Sequence, residues 1–210
     1  MKKITLSLVS IVALSGLAFA GGDIAPVVEE PVVVLEDNSV FYIGLGYGYF
    51  NQTVDNVINS NIELESNSVM LQAGYQYNQY IAFEGRYWIG IGDITQNGGI
   101  NPGDKSGDYD AWGLYLEPIY PVTQEFDVYG LLGYADTSVK YDSGEFWNTD
   151  GFSWGIGAQY AVTENILIFV DYLNMGSEDS VDLTYNNAIY PSVDAGIDLY
   201  TVNVGVSYKF

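Results

Sequence analysis

The sequence predicts an all-β protein, an eight-stranded antiparallel up-and-down transmembrane β-barrel. Three observations carry that expectation. From Phe41 onward, large apolar residues alternate with small or polar ones at period two, the pattern of strands with two unlike faces. The alternating runs number eight, and tight and long connections take turns between them. The face opposite the apolar one is rich in glycine, which suits a crowded lumen and is a poor choice for a water-facing strand.

The elements follow in chain order. Residues 1–20 read as a secretory signal: Lys2 and Lys3, an apolar stretch from Ile4 to Leu17, then Ala18-Phe19-Ala20 as a small-x-small cleavage site. The apolar run is too short for a membrane helix and ends at that signature. Residues 21–38 mix Pro26, Pro31 and five acids with valines and read as an acidic, extended periplasmic linker. Residues 39–210 form the barrel.

Phe41, Ile43, Leu45, Tyr47 and Tyr49 share one face of the first strand, opposite Gly44, Gly46 and Gly48. The second sets Val69, Leu71, Ala73, Tyr75 and Tyr77 against Met70, Gln72 and Gln76. The third sets Ile81, Phe83, Tyr87, Ile89 and Ile91 against Glu84, Arg86 and Trp88. In the fourth, Trp112, Leu114 and Leu116 oppose Tyr115 and Glu117. The fifth, near Phe126 to Ala135, carries apolar residues at both parities and leaves its facing open. The sixth sets Phe152, Trp154, Ile156 and Tyr160 against Ser153, Gly155, Gly157 and Gln159. The seventh sets Ile166, Ile168, Val170 and Tyr172 against Leu167, Phe169 and Asp171. The last sets Tyr200, Val202, Val204, Val206, Tyr208 and Phe210 against Thr201, Asn203, Gly205, Ser207 and Lys209. Tight turns are expected at Asn78–Gln79, Pro121 to Glu125 and Thr163–Glu164, and long loops near 51–65, 93–108, 136–150 and 175–195. A soluble carrier barrel would hide its large apolar side chains inside. The glycine face and the scarcity of Lys on the strands argue for the membrane instead.

Composition narrows function. The 210 residues contain 6 Lys and Arg against 27 Asp and Glu, a formal charge of −21, which repels nucleic acid. There is no Cys, so disulfide frameworks and thiolate chemistry are out, and no His, the commonest general base and metal ligand. No cofactor and no metal site is expected, and no catalytic residue is assigned. Gly44-Leu45-Gly46-Tyr47-Gly48 lacks the lysine and following helix of a phosphate loop.

Tyr208-Lys209-Phe210, closing an alternating strand, resembles the C-terminal signal of bacterial outer-membrane barrels. Tyr115 to Thr123 and Val128 to Tyr134 are similar to the mid-barrel strands of small OmpA-like outer-membrane β-barrel proteins. The resemblance covers roughly residues 39–210 and is specific for architecture, not activity. It implies that Tyr208 and Phe210 are read by the barrel-assembly machinery. Larger relatives carry a C-terminal peptidoglycan-binding domain, which is not found after the last strand here. Small barrel enzymes of similar architecture use His, so none of their chemistry carries over.

Two sites stand out. By parity, Glu84, Arg86, Glu117, Asp171 and Lys209 all face the lumen, and they are expected to form an ion-pair cluster around Arg86 that plugs it. The four long loops carry formal charges of −3, −2, −3 and −4, an acidic crown that divalent cations could bridge to anionic lipopolysaccharide. The outward aromatics read as girdles at the lipid headgroups. The expected function is a non-enzymatic outer-membrane barrel contributing to envelope structure or surface interaction. A narrow or gated porin for small solutes or ions is the alternative. The expected location is the outer membrane of a Gram-negative bacterium, with both termini periplasmic and outer-membrane lipid and lipopolysaccharide as partners.

Overall fold

Where backbone groups meet lipid, every N–H and C=O must be paired within the protein, and a closed sheet does this without leaving an edge. The computed structural model describes residues 39–57, 60–98, 102–141, 146–178, 181–185, 188–193 and 197–210. The expected signal segment 1–20 and linker 21–38 lie outside the described residues. The described residues form eleven strands: β1 (Val40–Val57), β2 (Ser60–Asn78), β3 (Ile81–Gly98), β4 (Gly103–Lys105), β5 (Gly107–Pro121), β6 (Phe126–Tyr141), β7 (Phe146–Ala161), β8 (Ile166–Glu178), β9 (Val181–Tyr185), β10 (Ala188–Val193) and β11 (Ile197–Lys209). Eight of them close a barrel in the order β1-β2-β3-β5-β6-β7-β8-β11, and β11 pairs back onto β1. Every pairing is antiparallel between chain neighbours, apart from the closure. That is the up-and-down meander the alternation predicts.

The expected long loops are corrected. Much of 51–65 and 136–150 is strand: β1 and β2 stay paired to Val57↔Ser60, and β6 and β7 to Lys140↔Phe146. β3 runs on to Gly98, with β4 beside it, and β9 and β10 pair within the last long connection. Those segments are too polar to show apolar alternation. Antiparallel backbone pairing needs no apolar side chains, so it continues where the sequence signal has stopped.

The switch in polarity is sharp on the outside. On each of the eight barrel strands, the outward position just past the last large apolar or aromatic residue is Asn or Asp: Asn51, Asn67, Asp93, Asp110, Asp136, Asp150, Asn174 and Asp198. Below this ring lies an apolar band that includes Phe41, Leu45, Leu114, Ile156 and Val204, all more than half exposed. About 10 residues per strand, tilted about 40°, give a band of roughly 25 Å, the thickness such barrels present to lipid. Aromatic pairs mark its edge, with the Tyr172 ring in contact with those of Trp154 and Tyr200, and Trp112 beside Tyr134. Tyr47 and Tyr134 donate hydroxyl hydrogen bonds to Asn67 and Asp150 in the polar ring.

The fifth barrel strand, β6, resolves to Tyr129, Leu131, Ala135, Thr137 and Val139 inside, with Leu132 and Tyr134 outside. Pairing Tyr129↔Gly157 forces this, because the facing of β7 is unambiguous. The tight turns hold the other end. Thr123 and Thr163 each cap their turn by accepting two backbone N–H bonds, and Asn165 clamps Lys209 through both its side chain and its carbonyl. A charge in the middle of the apolar band meets hydrocarbon, so Leu45→Arg should lower folding stability in phospholipid vesicles by about 2–4 kcal/mol. Thr53→Arg, beyond the polar ring, should cost under about 1 kcal/mol. Urea titration of both variants checks this.

Candidate functional site

Eight strands make a barrel just wide enough for its own side chains. Arg86 on β3 and Asp171 on β8 stand four strands apart in either direction, on opposite walls. The guanidinium crosses the lumen: Nη1 donates to Asp171 Oδ2 at 2.9 Å, and Nε donates to Glu84 Oε1 at 2.5 Å. All three side chains are almost fully buried. The Tyr115 and Phe169 rings flank the guanidinium, their centroids 6.0 and 5.9 Å away.

The carboxylates are held by a repeated arrangement. Tyr42 on β1, Gly74 on β2 and Glu84 on β3 stand in one cross-strand row. The tyrosine ring passes over the glycine, and its hydroxyl donates to Glu84 Oε2 at 2.7 Å. Tyr129, Gly157 and Asp171 repeat this across β6, β7 and β8, with the hydroxyl donating to Asp171 Oδ2 at 2.9 Å. A Cβ on Gly74 or Gly157 would collide with the ring, so these two glycines are needed for close approach. In a third row, Tyr115 lies across Gly133 towards Ser153, their oxygens 3.3 Å apart. Asp171 also accepts from Asn203 Nδ2 at 2.8 Å, and Asn203 in turn accepts from Trp88 Nε1 at 2.9 Å. Each buried acid therefore meets either Arg86 or a hydroxyl.

Glu117 and Lys209 stand apart from the Arg86 pairs. Glu117 pairs with Ala82 in the sheet, one inward step below Glu84, and contacts the Tyr42 hydroxyl at 3.2 Å. Arg86 makes two ion pairs, and Lys209 has no carboxylate of a described residue within 4.0 Å. Lys209 sits at the strand end, half-buried, because β11 stops there. Tyr42, Tyr129, Asn203 and Trp88 belong to the network although parity alone does not single them out. The cross-strand register, which places each tyrosine in line with a glycine and an acid, is the signal that finds them.

Above this network the lumen turns apolar. Met70, Trp88, Leu131 and Leu173 are fully buried next to it. Farther towards the long-loop end, Phe50, Leu64, Ile94, Tyr109, Val139 and Leu199 line a small cavity, with the Phe50 and Tyr109 rings 4.4 Å apart. A second cavity lies at the short-turn end, between Gln72, Gln76, Glu84, Glu117, Gln159 and Lys209. Tyr208 and Phe210 point outward, in edge-to-face contact at 5.4 Å.

An apolar, girdled exterior around a side-chain-packed interior defines a membrane-spanning β-barrel protein. The chain belongs to the outer membrane protein beta-barrel domain family, whose profile matches residues 6–210. That membership places it in the outer membrane of a Gram-negative bacterium. No curated protein matches the sequence. Among solved structures it is similar to Ail, the attachment invasion locus protein of Yersinia pestis, at 18% identity over 82% of this chain and 99% of that one, with a TM-score of 0.55. OprG from Pseudomonas aeruginosa matches at 14% identity over 82% and 95%, TM-score 0.55. AlkL, solved in lipid bilayers, matches at 15% identity over 82% and 90%, TM-score 0.57. At these identities the likeness concerns the fold.

Removing Arg86 leaves Glu84 and Asp171 buried and unmatched, so Arg86→Ala should lose about 3–5 kcal/mol of unfolding free energy in urea titrations. Gly74→Ala should cost about 1–3 kcal/mol through its clash with the Tyr42 ring, and much less in a Tyr42→Ala background, where the ring is gone.

Proposed function

We propose that the protein is a non-enzymatic outer-membrane barrel that contributes to envelope structure or surface interaction, with its lumen plugged. The observation that carries this reading is the Arg86 tie from Glu84 to Asp171, which spans the lumen under the buried Trp88–Met70–Leu131 layer. An open aqueous channel takes about 16–18 strands, twice the number closed here. The absence of His removes the usual general base, and the buried acids are occupied by Arg86 and tyrosine hydroxyls instead of facing an open cleft.

In this reading the short turns and both chain ends face the periplasm, and the long, acidic connections face outward. Their combined formal charge of −12 sets the kind of partner. Ail has been solved with a heparin analogue, sucrose octasulfate. A polyanion of that kind would be repelled by this rim. Lipopolysaccharide bridged through divalent cations, or a basic surface, fits it. The outward Tyr208 and Phe210 at the end of β11 are the residues offered to the barrel-assembly machinery.

A narrow or gated porin is the second reading. Its support is the pair of cavities, one on each side of the Arg86–Trp88 layer, which re-pairing of Arg86 together with a shift of the Trp88–Met70–Leu131 layer would join. Planar bilayers separate the two. The folded protein should insert without discrete conductance steps. Openings that change in frequency or size on Asp171→Asn would establish the gated pore and overturn the plugged one.

A further inference from the structure

The cavity at the short-turn end contains more acceptors than donors. The Tyr42 hydroxyl has one proton and faces two carboxylates, Glu84 at 2.7 Å and Glu117 at 3.2 Å. Arg86 directs its charge to Glu84 and Asp171, not to Glu117. Gln72 borders the same cavity. Its amide nitrogen donates to Ser207 Oγ at 2.7 Å, while its amide oxygen is buried and has no hydrogen-bond partner. Lys209, at the cavity's edge, makes no ion pair among the described residues.

The charges state the same deficit. Glu84, Glu117 and Asp171 face one guanidinium, and the tyrosines beside them, Tyr42 and Tyr129, are neutral donors. Adding one positive charge in the cavity halves that excess, from −2 to −1. The cavity has room for a body about the size of one water molecule. Glu84 and Asp171 are tied to Arg86, which leaves Glu117 as the one carboxylate at this cavity for an ion, too few anionic oxygens for a divalent cation.

We propose that this cavity binds one small monovalent cation of the sodium or potassium class, held by the Glu117 carboxylate, the Gln72 amide oxygen and a lone pair of the Tyr42 hydroxyl. The cation supplies the ion pair that Glu117 does not make with any side chain among the described residues. It binds whether or not the barrel conducts.

The test uses the purified protein folded in a zwitterionic detergent. Thermal unfolding is followed in sodium, potassium, rubidium and choline chloride at equal ionic strength. The midpoint should rise by about 4 °C or more in at least one alkali salt relative to choline, with a saturating concentration dependence. Glu117→Gln should abolish that difference. Equal midpoints in all four salts would overturn the proposal. So would an alkali effect undiminished in Glu117→Gln, which would assign the ion to the acidic rim. Stabilisation by acid with no alkali preference would give the missing charge to a proton on Glu117 and also overturn it. Should Glu117→Gln not fold, crystals of the unaltered protein grown in rubidium chloride decide the matter. An anomalous peak between Glu117 and Gln72 is expected, and its absence would refute the site.

Discussion

A guanidinium in the middle of a narrow barrel has no bulk water to fall back on, and much of this interior follows from that. Leaving it unmatched would cost several kcal/mol, so partners must reach it from opposite walls. Asp171 and Glu84 do so. Each carboxylate then has lone pairs left over, and these draw in Tyr42, Tyr129 and Asn203. A tyrosine reaches an acid two strands away only when the strand between carries no side chain, which fixes Gly74 and Gly157. One cation thus dictates two acids, two tyrosines and two glycines, on six of the eight strands counted with Arg86's own.

The two ends of the lumen differ in kind. Towards the short turns the interior is polar, with Gln72, Gln76, Glu117 and Lys209 around a cavity. Towards the long connections it is a small hydrophobic core built on Phe50, Trp88 and Tyr109. The charged tie sits between them. The hydrogen-bonded tie stiffens the structure around it, and the apolar layer beside it keeps water from competing for its hydrogen bonds. Plugging is therefore a property of the stacked layers together, with Arg86 as the member that joins opposite walls.

Most of the architecture was legible because the barrel has two non-aqueous faces of different chemistry. Lipid demands Phe41, Leu45, Ile156 and their like, while the lumen demands small or polar residues, so period two stands out in seven of the eight barrel strands. β6 was ambiguous because Leu131 and Leu132 put apolar residues on both faces, and pairing with β7 settles it. The strand extensions towards Val57 and Tyr141 look like loops in the sequence because polar strands carry no apolar rhythm. In the site, parity alone brought Glu84, Arg86 and Asp171 to the lumen. It could not supply the tyrosine rows, since those depend on register, and alternation within one strand leaves register unset. Lys209 has the right parity, but its place at the end of β11 keeps it from the Arg86 pairs.

The tie across the lumen is the feature on which this reading of the interior rests, and a double-mutant cycle measures it most directly. Arg86→Met, Asp171→Asn and the double variant are compared with the parent by reversible urea unfolding in phospholipid vesicles. A coupling energy of about 1.5 kcal/mol or more is expected for two buried, hydrogen-bonded opposite charges. A coupling within about 0.3 kcal/mol of zero would mean that the two side chains do not hold each other, and would contradict the cross-lumen tie.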